Sequence, residues 1–185
     1  MMTQTIRILL TDASPILRAG LRALLAANGD LLVVGEAGDS TEAERLSREL
    51  APRVLLLGPD LAGSAGPELV MRVRRQCPAT RVLAIAPCDG PAGARQMLAA
   101  GVAGYALQSE AAAMLPAALR AVARGDPWFS PAVLGLIATG SEDPESPPSL
   151  SARQRQIACL LTRGWTTKQL AIALHISEST IRFHI

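Results

Sequence analysis

Five mostly apolar runs recur along the first two thirds of the chain, and each is followed by a segment with helical periodicity. The runs are residues 6–10, 31–34, 54–57, 82–86 and 102–107. After the first run, apolar residues return at intervals of three and four, at Leu17, Leu21, Leu24 and Leu25, which is the spacing of an amphipathic helix. The alternation restricts the fold strongly, because strands that are apolar throughout must be covered on both faces.

The alternation predicts an α/β domain over residues 1–124. Its core would be a doubly wound, five-stranded parallel sheet, (βα)5, with helices on both sides. The fifth helix should span residues 111–124. Aromatic residues make up only 3% of the chain, so this core must be built from Ala, Val, Leu and Ile.

Residues 150–185 follow a different pattern, with three helix starts in close succession. The segments SARQ from Ser151 and TTKQ from Thr166 each place a hydroxyl residue three positions before Gln, which is a capping box. Ser177 caps a third helix. Short helices joined by a tight turn, with the last beginning in polar residues, predict a small all-α helix-turn-helix domain.

The charge of the chain is unevenly distributed. Residues 150–185 carry five basic residues and one acidic residue, a net charge of +4, whereas the rest of the chain has a net charge of −2. A basic helical end on a slightly acidic body is typical of a protein that binds double-stranded DNA. The alternative for these helices is a small bundle that binds protein.

The C-terminal segment resembles the DNA-binding domain of the LuxR/NarL family. The resemblance rests on the elements LSxRxxxI, GxTxKQLAxxLxIS and ESTIRFH, which stand in register over about 36 residues. In that family the third helix enters the major groove. It usually runs on beyond the position of Ile185, so the domain is expected to be incomplete at its C-terminus.

The LuxR resemblance assigns DNA contacts to five residues. Thr180 and His184 would approach the phosphate backbone or base edges. Arg182 would pair with guanine and Phe183 would contact a thymine methyl group, although a core aromatic is a close alternative for Phe183. Lys168 would contact phosphate. The resemblance thus implies a DNA-binding transcription regulator, with a homodimer as the expected form.

The first domain resembles a response-regulator receiver, through the pieces VVGEA, GVAGY and PWFSP and the spacing of its elements. Receivers of that family accept a phosphoryl group from a histidine kinase on an Asp at the end of the third strand. They also use an acidic pair that holds Mg²⁺, a hydroxyl after the fourth strand and a Lys after the fifth. This resemblance places the site at the carboxyl ends of strands one and three.

Most of those groups are missing from this sequence. The acidic pair is reduced to Asp12 and Ala13, the acceptor position is Gly58, the hydroxyl position is Ala86 and the Lys position is Gln108. We therefore expect a degenerate, phosphorylation-independent receiver that is not an enzyme and needs neither Mg²⁺ nor another cofactor. A histidine kinase partner is doubtful. Asp12 would be a solvated strand-end or helix-capping carboxylate rather than a metal ligand.

Several alternatives stay open at this point. A conventional, kinase-driven regulator could use Asp60 as a displaced acceptor, although Asp60 is expected on a loop past Pro59. The altered pocket could be a relic kept for packing, with dimerisation through the helices after strands four and five. It could also bind a neutral small molecule, because Gly58 and Ala86 leave space. A protein that binds no DNA and heterodimerises with a complete regulator is a further alternative.

Residues 125–149 should connect the two domains. Trp128 is expected to pack against the fifth helix, and a short helix over residues 132–138 should precede a linker over 139–149 that is rich in Pro, Ser and acidic residues. No apolar run is long enough to span a membrane and no signal peptide is present, so we expect a cytoplasmic protein. The three cysteines and two histidines lack metal-ligand spacing, so no metal site is expected.

Overall fold

The computed structural model describes residues 5–63, 65–86 and 91–138. The chain divides into two units, Met1–Ser141 and Glu142–Ile185, and all described residues belong to the first. The predicted linker over 139–149, the predicted helix-turn-helix over 150–185 and its five predicted DNA contacts lie outside the described residues.

The described residues form strands and helices in alternation. The strands are β1 (Ile6–Thr11), β2 (Leu31–Ala37), β3 (Val54–Leu57), β4 (Arg81–Ala86), β5 (Gly104–Leu107) and β6 (Trp128–Phe129). The helices are α1 (Pro15–Ala26), α2 (Ser40–Leu50), α3 (Pro59–Ala62), α4 (Gly66–Gln76), α5 (Pro91–Ala100), α6 (Gln108–Arg124) and α7 (Pro131–Ala138).

All paired strands are parallel, in the order β2-β1-β3-β4-β5-β6. The order turns back after β2, so β1 and β3 flank the switch point of a doubly wound sheet. The predicted fold class is confirmed, with one addition. The two residues of β6 pair with β5, Gly104 opposite Trp128 and Tyr105 opposite Phe129. A two-residue strand is too short to produce a periodic signal, so the prediction stopped at five strands.

Each face of the sheet carries its own apolar layer, which explains why the strands are mostly apolar on both faces. Along β1, Leu9 points to one layer, while Ile8 and Leu10 point to the other. The first layer includes residues of α2, α4 and α5, and the second includes residues of α1 and α6. Trp128 packs against the second layer, as expected for a residue beside α6.

Polar side chains set the starts of two helices. The Ser14 hydroxyl accepts a hydrogen bond from the Leu17 N–H at 3.3 Å at the start of α1. The Asp39 carboxylate accepts one from the Glu42 N–H at 2.8 Å at the start of α2. Both bonds satisfy N–H groups that have no partner within the helix. These caps fix where the chain leaves the carboxyl ends of β1 and β2.

Candidate functional site

The carboxyl ends of the central strands, called here the carboxyl edge, bring the predicted pocket residues together. Asp12 follows β1, Gly58 follows β3, Ala86 ends β4 and Gln108 begins α6 directly after β5. The backbone N–H of Gly58 donates to the carbonyl of Thr11 at 2.6 Å, which holds Gly58 beside Asp12. Ala13 is exposed. The parallel register therefore gathers these positions at one edge, while their roles stay predictions.

Asp12 is a buried carboxylate, with 0% of its surface exposed, so the expectation of a solvated side chain was wrong. Its Oδ1 accepts a hydrogen bond from the Ser14 N–H at 2.8 Å. Its Oδ2 accepts one from the Asp60 N–H at 3.0 Å. The capping part of the expectation holds, because Asp60 lies in the first turn of α3 and Gly58, the residue that precedes this helix, has no side chain to cap it.

The open space predicted beside Gly58 is filled. A Cβ atom built on Gly58 would lie 2.7 Å from the Cβ and 2.8 Å from the Cγ of Asp12, with Oδ2 closer still. Real Cβ atoms essentially never approach other atoms so closely, and the Cβ of Asp12 cannot move without its backbone. The side chain of Asp12 thus occupies the place where a side chain at the acceptor position would begin, and the predicted cavity beside Gly58 was wrong.

Asp60 lies in the four-residue helix α3 and not on a loop as predicted. Pro59 at the first helical position favours this turn because its fixed φ suits a helix start. The Asp60 side chain is exposed, but its negative charge is close enough to affect its neighbour. Burial raises the pKa of Asp12 above its ordinary value, and the Asp60 carboxylate raises it further, while the N–H groups of Ser14 and Asp60 act in the opposite direction.

Arg18 is a residue at this edge that the sequence did not single out. Its Nη1 donates to the carbonyl of Asp12 at 2.5 Å, and its Nε donates to Glu36 Oε2 at 3.3 Å. Arg22 donates to the other oxygen of Glu36 at 2.8 Å. The charged Glu36 inside the otherwise apolar VVGEA strand was a signal for this network. Because Arg18 is already paired, it ties the loop after β1 to β2.

The described residues at this edge offer few free oxygen ligands for Mg²⁺ beyond the exposed Asp60 carboxylate. Both carboxylate oxygens of Asp12 accept backbone N–H groups, and Ala13 and Gly58 have no side-chain oxygen to add. The Gly58 carbonyl accepts the N–H groups of Leu61 and Ala62, at 3.2 and 2.9 Å. A hard cation needs about six oxygen ligands with free lone pairs. Nor does any group of three Asp, Glu, His or Cys side chains in the described ranges have the arrangement of a metal site.

The fold and this edge define the chain as a response regulator. Residues 8–120 match the family described as response regulator receiver domain, and residues 148–185 match bacterial regulatory proteins, luxR family. The chain belongs to the LuxR family of response regulators, which are DNA-binding transcription regulators. Both predicted resemblances are thereby confirmed.

The chain is similar over nearly its whole length to curated regulators. It is 31% identical to the transcriptional regulatory protein LiaR of Bacillus subtilis, over 97% of this chain and 87% of LiaR. It is 30% identical to the nitrate/nitrite response regulator protein NarP of Escherichia coli, over 97% of this chain and 85% of NarP. These relatives place the two matched domains in one regulator of similar length.

Solved structures give the same assignment. A LuxR-family two-component response regulator from Aurantimonas sp. SI85-9A1 has a TM-score of 0.69 and 35% identity, covering 74% of this chain and 97% of that one. The RcsB response regulator of Salmonella typhimurium has a TM-score of 0.69 and 25% identity, covering 98% and 88%. Among the described helices of the present chain, none is both long and apolar enough to cross a membrane.

Proposed function

We propose that this regulator controls transcription through a receiver that works without phosphorylation of an aspartate. The observation that carries the proposal is the position of Asp12. Its buried side chain takes the place where the side chain of the acceptor residue would begin at Gly58. The expected acceptor position carries no carboxylate in this chain, and the Asp12 side chain fills the space beside it.

The charge of the carboxyl edge supports the same proposal. Phosphoryl transfer depends on cations that neutralise the transferred group. Ala86 and Gln108 are neutral, and Arg18 is engaged with Glu36 and a backbone carbonyl. A phosphoryl group on Asp60 would add negative charge next to the buried Asp12 carboxylate. The rival function, a kinase-driven regulator with Asp60 as acceptor, therefore has no electrostatic support at this edge.

Asp12 is a fixed connection in this proposal. It links the end of β1 to the first turn of α3 through the Asp60 N–H and to the start of α1 through the Ser14 N–H. A receiver held this way offers α5 and α6 as a constant surface, and a homodimer formed through these helices is the proposed DNA-binding form. The proposed location is the cytoplasm.

The experiment for the receiver is intact-mass measurement after incubation with acetyl phosphate and Mg²⁺. The mass should not change, whereas a receiver that takes up phosphate from this donor, treated in the same way, should gain one phosphoryl group. An acid-labile gain that disappears in Asp60→Asn would refute phosphorylation independence and establish the rival.

The DNA contacts are proposed from the family match over residues 148–185. Arg182→Ala should cost about 1–3 kcal/mol at one base pair of each half-site, because a bidentate contact to guanine is lost. Lys168→Ala should weaken binding to all sequences and reduce its salt dependence. Footprinting on genomic fragments measures both. Absence of any protected site would favour the alternative of an interaction protein that heterodimerises with a complete regulator.

A further inference from the structure

A cavity of about 320 Å³ lies at the opposite end of the sheet, called here the amino edge. It is bounded by the C-terminal end of α4, the turn into β4, the first residues of β4 and the turn between α5 and β5. Its lining includes Arg74, Thr80, Arg81 and Gly101. No carboxylate is among the described residues of the lining, so this lining is basic.

The two guanidinium groups have most of their donors free. Arg74 donates one bond, from Nη1 to the carbonyl of Ala100 at 3.1 Å. Among the described residues, neither Arg74 nor Arg81 forms an ion pair, and Arg81 makes no side-chain hydrogen bond. A guanidinium carries five N–H donors in a planar fork, so nine of the ten donors on these two side chains have no partner among the described residues.

Two glycines without a Cβ leave room for the guanidinium groups. A Cβ on Gly101 would lie 3.0 Å from Arg74 Nε, with other atoms of the guanidinium closer, and a Cβ on Gly125 would lie 3.1 Å from Arg81 Nη2. Both glycines end helices in the left-handed region, at φ 86° and φ 109°, where side chains are disfavoured. The helix ends thus provide flat backbone against which the two arginines rest.

A third arginine adds to the positive charge of this edge. Arg53 precedes β3 and neighbours Arg81. The backbone N–H of Arg81 donates to the backbone carbonyl of Arg53 at 3.1 Å. The Arg53 Nε donates to the carbonyl of Ala123 at 2.7 Å. Part of this charge offsets the negative C-terminal ends of α4, α5 and α6. Arg81, however, bonds to no helix carbonyl, so its guanidinium is not used as a helix cap.

We propose that this cavity binds the phosphate or diphosphate group of a small molecule. Arginine forks match phosphate oxygens in bidentate geometry, and two arginines that line one cavity without a carboxylate among the described lining residues suit a dianion. The site lies at the opposite end of the strands from Asp12 and does not depend on whether Asp60 accepts a phosphoryl group. Binding of a phosphorylated metabolite at this site changes the stability of the regulator.

The test uses the full chain with Lys168→Ala and Arg182→Ala, which removes two basic candidate DNA contacts in the C-terminal segment. Inorganic phosphate and pyrophosphate are titrated at constant ionic strength, with melting temperature and calorimetric heat as readouts. Saturable binding should raise Tm by about 5 °C at a hundredfold excess over Kd. Arg81→Gln and Arg74→Gln should each weaken binding at least tenfold. A stronger effect of pyrophosphate than of phosphate identifies the diphosphate.

The control is Arg75→Gln, on the same helix but outside the cavity lining, which should bind as the parent does. Equal loss in Arg75→Gln would mean that only general positive charge matters, and would refute the site. So would the absence of a saturable Tm rise in a parent chain that is folded, because arginines that serve only the helix ends bind no anion. Because Arg74 bonds to Ala100, the far-UV CD spectrum of each variant verifies that it is folded.

Discussion

The two edges of the sheet hold opposite charge arrangements on one apolar core. At the carboxyl edge, two neighbouring carboxylates meet without a free cation among the described residues, and burial raises the pKa of Asp12. At the amino edge, Arg74 and Arg81 line a cavity that has no carboxylate among its described residues. Asp30 there forms a two-point ion pair with Arg120, at 2.7 Å for both contacts, and its hydrogen bond with Arg120 lowers the pKa of Asp30.

This difference indicates that the fold does not require one particular charge at either edge of the sheet. The strands are stabilised by the two apolar layers, and the residues just beyond the strand ends can change charge without loss of the sheet. Aspartate at one edge is destabilised as an anion and at the other is stabilised as one. The identity of the residue therefore says less about its chemistry than its burial and its partners do.

The largest expected effect on stability comes from a substitution that disrupts the packing at the carboxyl edge. Gly58→Ala should lower the free energy of unfolding by about 2 kcal/mol, because its methyl group would overlap the Asp12 side chain down to its Cβ. Gly20→Ala is the matched control, since a Cβ on Gly20 meets nothing within 4 Å. That change in exposed α1 should stabilise the chain by about 0.5–1 kcal/mol. Urea denaturation measures both.

A double-mutant cycle with Asp12→Gly shows whether the Asp12 side chain causes the loss of stability in Gly58→Ala. In the Asp12→Gly background, Gly58→Ala should cost at least 1 kcal/mol less, within the range known for residues in contact. Independent, additive effects would contradict the claim that Asp12 occupies the side-chain space of position 58.

Much of this comparison could be predicted from the sequence, but not all. The apolar runs specified the sheet, because burial on both faces needs apolar residues at successive positions. The sequence also predicted Gly58 at the acceptor position and Gln108 at the lysine position, and these two assignments stay predictions. The burial of the Asp12 side chain beside Gly58 was not readable, because the orientation of a side chain leaves no mark in composition or spacing. Nor was the Arg74–Arg81 cavity, since it joins residues whose separate positions look like ordinary helix ends and strand starts.

The second prediction concerns the ion pair at the amino edge. Arg120→Gln should lower the free energy of unfolding by about 1 kcal/mol, because Arg120 connects α6 to Asp30 in two-point geometry and its side chain is 36% exposed. Arg45→Gln is the control, because Arg45 and its partner Glu49 are about half exposed on α2. It should change stability by less than about 0.5 kcal/mol. Both changes are measured by thermal or urea unfolding. Equal losses of unfolding free energy would contradict the claim that the Arg120–Asp30 pair stabilises the chain more than the Arg45–Glu49 pair.

The smallest effect compares the two aspartates directly, as a difference in the sign of pH dependence. Below its ordinary pKa of 3.8, Asp12 is protonated in the folded and unfolded states alike. As pH rises above 3.8, the unfolded chain loses this proton first, because the folded pKa is raised. The stabilising contribution of Asp12 therefore declines until pH passes the folded pKa.

Asp30 behaves in the opposite way. Its folded pKa is lowered, so its contribution is complete above 3.8 and declines as pH falls through the folded value. The quantity to measure is the free energy of unfolding of the parent chain minus that of each variant. This difference should decrease with rising pH for Asp12→Asn and increase with rising pH for Asp30→Asn. A difference for Asp12 that rises with pH would mean that the N–H groups of Ser14 and Asp60 outweigh burial, and the carboxyl edge would then stabilise its anion as the amino edge does.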